Sequence, residues 1–153
     1  GFTYLVYASA YSKPEVVSAF LASGADINQQ SMNGWTPLAI AIQYDNRDVY
    51  HELIEMDAQV FYSQSIHDAT PSITPLAVAV NKKNSDATEL LLTTWLGNGT
   101  SNFEYLNEDN IQNINLELRP IGVSVKFKES ISIADFTTNI TNALKETDAL
   151  TNP

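Results

Sequence analysis

The 153-residue chain has no cysteine. Disulfides, thiolate metal sites and thiol nucleophiles are excluded, although the compartment stays open. Cations are scarce, with 8 Lys and Arg against 18 Asp and Glu, a formal net charge of −10. Phosphate backbones are gripped by clustered Lys and Arg, so nucleic acid is not an expected partner. An acidic surface steers basic partners toward itself, or only keeps a small protein soluble. No apolar run approaches the roughly 20 residues of a membrane-spanning helix. No basic-then-apolar leader opens the chain, and no Met begins it, so a removed signal peptide stays open. Cytoplasmic, periplasmic and secreted locations are all compatible with this composition.

What the chain does have is internal repetition, the first feature to seek in a sequence of this length. "GFTYLVYA" at residues 1–8 returns as "GWTPLAIA" at 34–41. At that offset of 33, Thr3 falls on Thr36, Leu5 on Leu38, Ala8 on Ala41, Tyr11 on Tyr44 and Val16 on Val49. A third copy starts at "ITPLAVAV", residues 73–80, after an insertion of five residues in the connector "FYSQSIHDATPS", residues 61–72. A fainter fourth copy lays "RPIGVSV", residues 119–125, on the third, with "ISIADFTTNITNAL", residues 131–144, as its second helix.

Each copy has local chemistry that dictates its form. Thr before Pro predicts a helix start, because the hydroxyl can accept from a free N–H of the first turn and Pro suits the first helical position. Ala39, Ala41, Ala77 and Ala79 let neighbouring helices approach closely. The polar breaks "YSKPE", "YDNRD" and "KKNSD" are followed by apolar stripes at helical spacing, such as Val16, Val17, Phe20 and Leu21. Gly24 suits a helix C-cap. One such unit cannot bury its own apolar face and must stack on neighbours.

These residues resemble ankyrin repeats. The likeness rests on G-x-T-P-L, the small residue at Ala41, the E/D-V-V segment and G-A-D-I-N, and it covers residues 1–96 well and 119–147 weakly. The sequence departs from the pattern in lacking the His after T-P-L and the Gly-His turn between helices. The resemblance implies an all-α solenoid of stacked helix–turn–helix repeats with extended loops and a degenerate C-terminal cap. It forms one domain over 1–153, with repeats at about 1–33, 34–72 and 73–97, an irregular Asn-rich loop at 98–118 with one helical turn near Phe103–Leu106, and the degenerate repeat or cap at 119–153.

The resemblance also implies a non-enzymatic module that binds a protein through loop tips and the concave face of the first helices. The tip position is Phe2, Trp35 and Ile73, and Tyr11 and Tyr44 share a second equivalent position. The insertion adds Phe61, Tyr62 and His67. Aromatic side chains are favoured interface anchors, so Trp35 and the Phe61–Tyr62 loop are expected to flank one groove as exposed side chains whose truncation leaves folding intact. Asp45, Asp48 and Asp68 are expected to speed encounter with a basic partner. No catalytic residue, metal site, cofactor, small-molecule substrate or membrane contact is expected. His67–Asp68 offers two adjacent ligands and no third, and no G-x-S-x-G, P-loop or G-x-G-x-x-G motif occurs.

In a bacterial setting such a domain reads as a toxin-neutralising immunity or inhibitor protein, as an effector acting on a host protein, or as a periplasmic accessory. Tyr4, Leu5, Tyr7 and Phe20 leave the first unit apolar on its outer side, so further repeats upstream, or a covering chain, are expected, with extension raising the melting temperature.

Overall fold

The computed structural model describes residues 3–62, 71–97, 105–144 and 150. Three threonines set its frame. Thr3, Thr36 and Thr74 are extended, and each hydroxyl accepts from the N–H three residues on, at 3.1, 3.2 and 3.2 Å. Each of these N-caps opens a first helix: α1 (Tyr4–Tyr11), α3 (Pro37–Gln43) and α5 (Pro75–Asn81). Pro37 and Pro75 stand in the first turn, where a missing N–H costs nothing. A tight turn leads into each second helix: α2 (Pro14–Ala22), α4 (Arg47–Glu55) and α6 (Ser85–Leu96).

The turns explain how the missing Gly-His is tolerated. Asp45 (φ 52°) and Lys83 (φ 56°) take the left-handed conformation themselves. The N–H groups of Asn46 and Asn84 then reach back to the carbonyls of Ala41 and Ala79, at 2.8 and 2.9 Å. Those bonds satisfy carbonyls that a helix end would otherwise leave orphaned. The second helices close in the same way around Gly24 (φ 97°) and, in the next copy, Asp57 (φ 66°).

The first helices stack side by side, α1 on α3 on α5, while α2 packs on α4. The middle helix is buried from Pro37 to Ile42, and Ala39, Ala41, Ala77 and Ala79 have no exposed surface at all. Polar groups also cross between units. The Asn46 side-chain amide donates to the carbonyls of Ser9 and Ser12, at 3.0 and 2.9 Å, at the end of α1. The Arg47–Asp86 pair at 2.9 Å bridges α4 and α6 in the open, where such pairs contribute little.

The loop before α3 is held as tightly. Gly34 has φ 85°, and a Cβ there would overlap Ser72 Oγ and lie 3.2 Å from Ser72 N. Gly34→Ala therefore meets left-handed strain, and the Ser72 side chain must move to admit the new methyl group. It is expected to cost about 2–4 kcal/mol, measured as the change in unfolding free energy in a urea titration.

The C-terminal part departs from the sequence reading. The Asn-rich stretch expected as a loop contains α7 (Glu108–Glu117). Asn107 and Asn110 cap it reciprocally, each side chain accepting from the other's N–H at 2.8 and 2.9 Å. Ile111, Ile114 and Leu118 form its buried stripe. Before it, Tyr105–Leu106 is a short strand, β1, not a helical turn. It pairs antiparallel with β2 (Ile131–Ser132), Tyr105 opposite Ser132 and Leu106 opposite Ile131. The expected first helix of the fourth copy is one 3-10 turn, Arg119–Ile121, ended by Gly122 at φ 68°. Gly122 stands where the third copy has Ala77. Helix α8 (Ile133–Ala143) follows β2 and packs on α6, while the 3-10 turn packs on α5.

Candidate functional site

The structure turns the loop-tip residues inward and corrects their expected exposure. Trp35 is fully buried. Its N–H donates to Ser31 Oγ at 3.1 Å, and its carbonyl accepts from the Ser31 N–H at 2.8 Å. The loop thus folds back on itself and drives the indole into the core. Ile73, the equivalent residue of the third copy, is buried too. Phe61 stacks on Trp95 of α6, with ring centroids 4.2 Å apart and planes 12° from parallel. Tyr62 is buried, and its N–H donates to Oε1 of the buried Glu117 at 2.8 Å. Trp35, Phe61, Tyr62 and Ile73 are therefore core residues: neighbouring loops, α6 and α7 remove their apolar surface from water, which exposure would forgo. Phe2, His67 and Asp68 lie outside the described residues.

Tyr11 and Tyr44 are exposed, and the fold brings them together. Tyr11 ends α1 and Tyr44 caps α3. Stacking of those helices sets the rings 5.0 Å apart at 56°. Tyr7, which the sequence reading did not select as a contact residue, lies one turn before Tyr11, with rings 5.0 Å apart at 55°. Tyr7, Tyr11 and Tyr44 are 58%, 56% and 43% exposed. The signal for Tyr7 was its spacing of four from Tyr11, which puts both on one helix face. Tyr4 is 83% exposed and lies over Phe20, at 6.2 Å and nearly parallel.

The result is a continuous aromatic row across two repeats, wet on its outer side. Tilted rings at this separation support one another and leave ring surface exposed to a ligand. Asp45 follows Tyr44 in the chain and is exposed. The position occupied by Tyr11 and Tyr44 is Lys82 in the third copy.

Two phenols titrate above their ordinary range. A hydrogen bond with the Tyr44 hydroxyl, then partial desolvation, raises Tyr11. Burial raises Tyr62; the nearby Thr36 hydroxyl opposes this, and the negative charges of Glu117 and Asp26 add to it. A phenol whose folded value exceeds its unfolded value of 10.0 contributes stability that is fully present below that pH. The contribution is lost as pH rises toward the folded value. In an alkaline absorbance titration, Tyr62 is expected to ionise only as the fold opens, and Tyr62→Phe to remove that late step.

Among the described residues no three His, Asp or Glu side chains assemble as a metal-binding group, and no helix is long and apolar enough to cross a membrane. The stacked helix pairs define an all-α, ankyrin-like solenoid. Residues 1–64 match the family model for ankyrin repeats (3 copies); the third helix pair and the C-terminal elements lie beyond that match. An L-asparaginase of Dirofilaria immitis is 40% identical over 57 residues, which is 37% of this chain and 10% of that protein. The chain thus spans about a tenth of the length of this curated relative. Ankyrin repeats are generally protein–protein interaction modules.

Proposed function

We propose that this chain is a non-enzymatic protein-binding module whose contact surface is the row Tyr7–Tyr11–Tyr44. The observation that supports it is the placement of three half-exposed tyrosines along adjacent first helices, with Tyr11 against both Tyr7 and Tyr44. Large aromatic side chains left in water are costly unless a partner covers them, and tyrosine anchors give much contact area for little conformational entropy. The net charge of −10 and the exposed Asp45, next to Tyr44 in the chain, favour a partner segment bearing Lys or Arg, which can pair with an acid and lie over a ring face. The immunity, effector and accessory readings all use this surface and differ only in the partner. A photo-crosslinking residue at position 44 tests the proposal. It should capture a partner that the same probe at Met32, also exposed, does not; equal capture at both sites would overturn it.

A second reading has one observation in its favour. The matched segment of the L-asparaginase is 10% of that protein; by analogy, the repeats here would serve as the binding arm of a larger polypeptide. The full-length protein would then bring its other activity to whatever the tyrosine row holds.

A further inference from the structure

Between Gly122 and β2 the chain runs without a helix, and its exposure alternates. Val123, Val125 and Phe127 are half-buried, while Ser124, Lys126 and Lys128 are exposed. A period of two is that of an extended strand. One edge of this segment is already paired. The Val125 N–H donates to Asn115 Oδ1 at 2.7 Å, and the Val125 carbonyl accepts from Asn115 Nδ2 at 2.8 Å, so the side chain of an α7 residue takes the place of a neighbouring strand.

In an extended chain the residues flanking Val125 turn their N–H and C=O groups to the opposite edge. Those residues are Ser124 and Lys126, followed by Lys128 in the same phase. Their backbone groups make no hydrogen bond among the described residues. Beside the segment lies a groove of about 670 Å³, with Phe127, Ile131, Phe136 and Ile140 among its lining.

We propose that residues 123–128 are a free β-edge that takes up an extended acidic peptide. Backbone pairing with Ser124, Lys126 and Lys128 holds the peptide, as in other cases of strand addition. Its alternate apolar side chains enter the groove on the Phe127 side, and the intervening carboxylates lie opposite Lys126 and Lys128 on the outer side. Unlike charges across a strand pair stabilise and like charges repel. Lysines on an edge also discourage pairing with a second copy of the same edge, so the occupant is an acidic strand and not another copy of this chain. Glu129 and Asp135 also line the groove, so the peptide's carboxylates fit only where they face the two lysines and would be repelled elsewhere. This surface goes beyond the tyrosine row. It belongs to the C-terminal elements, whereas the row lies on α1 and α3.

The test uses the whole chain and a fluorescein-labelled peptide of alternating Glu and Val, about as long as an ordinary strand of ~5–6 residues. Fluorescence anisotropy should show saturable binding at least about tenfold tighter than for the Lys–Val counterpart, a difference of about 1.4 kcal/mol. The peptide N-methylated on its pairing amides should not bind. Lys126→Glu with Lys128→Glu should reverse the preference, so that the Lys–Val peptide now binds; this readout also shows that the variant is folded. Amide exchange at Ser124, Lys126 and Lys128 should slow in the complex. Absence of saturable binding, indifference to N-methylation, or an unchanged preference after charge reversal would overturn the proposal. So would dimerisation of the chain that protects the same amides.

Discussion

Trp35→Ala is expected to remove most of the stability of the domain. The indole is fully buried in a loop closed by the two Ser31–Trp35 hydrogen bonds. Truncating a buried Trp costs about 3–5 kcal/mol, against a total of ~5–15 kcal/mol for an ordinary domain. A urea titration followed by circular dichroism should show the midpoint collapse. This outcome is the opposite of what an exposed loop-tip anchor would give. A loss below about 1 kcal/mol would mean that water reaches the Trp35 pocket, and that the indole is available to a partner after all.

Tyr11→Ala combined with Tyr44→Ala is expected to do the reverse. The two rings rest on each other and are about half exposed, so little core is lost and the unfolding midpoint should move only slightly. Binding should fall by at least about tenfold, or 1.4 kcal/mol, because anchors near an interface centre carry most of its energy. Asp45→Asn should instead lower the association rate and its dependence on salt. Calorimetry for the aromatic pair and stopped-flow kinetics for the acid separate the two effects on one partner.

The parts of the fold legible in the sequence are those set by short-range chemistry. Thr36 and Thr74 cap helices whatever surrounds them, Pro follows because the position has no use for an N–H, and the alanines mark where helices touch. The aromatic tips were not legible, because their fate depends on partners far along the chain. Nothing near Phe61 announces Trp95, and nothing near Tyr62 announces Glu117 (their meeting is decided by how α6 and α7 fold over the second unit). Helix α7 was hidden by composition. Asn disfavours helix interiors in general, yet Asn107 and Asn110 sit at the start, where they cap. Equally, the Val-rich run after Arg119 looked like the head of another repeat until Gly122, in the left-handed conformation, ended it. For the candidate site, the equivalence of Tyr11 and Tyr44 was visible in the repeat. The contribution of Tyr7 needed the helix to be placed, since in the second and third copies the same position holds Ile40 and Val78 and is fully buried.

Quantitative affinity capture from an extract of the native source bears most directly on the tyrosine row as the partner surface. Three baits are compared: the unaltered chain, the Tyr11→Ala and Tyr44→Ala double variant, and Met32→Ala, a change at a side chain that is 88% exposed and outside the tyrosine row. The account predicts a protein enriched by the unaltered chain and by Met32→Ala but lost by the folded double variant. An enriched protein that binds the double variant as well as the unaltered chain would contradict it.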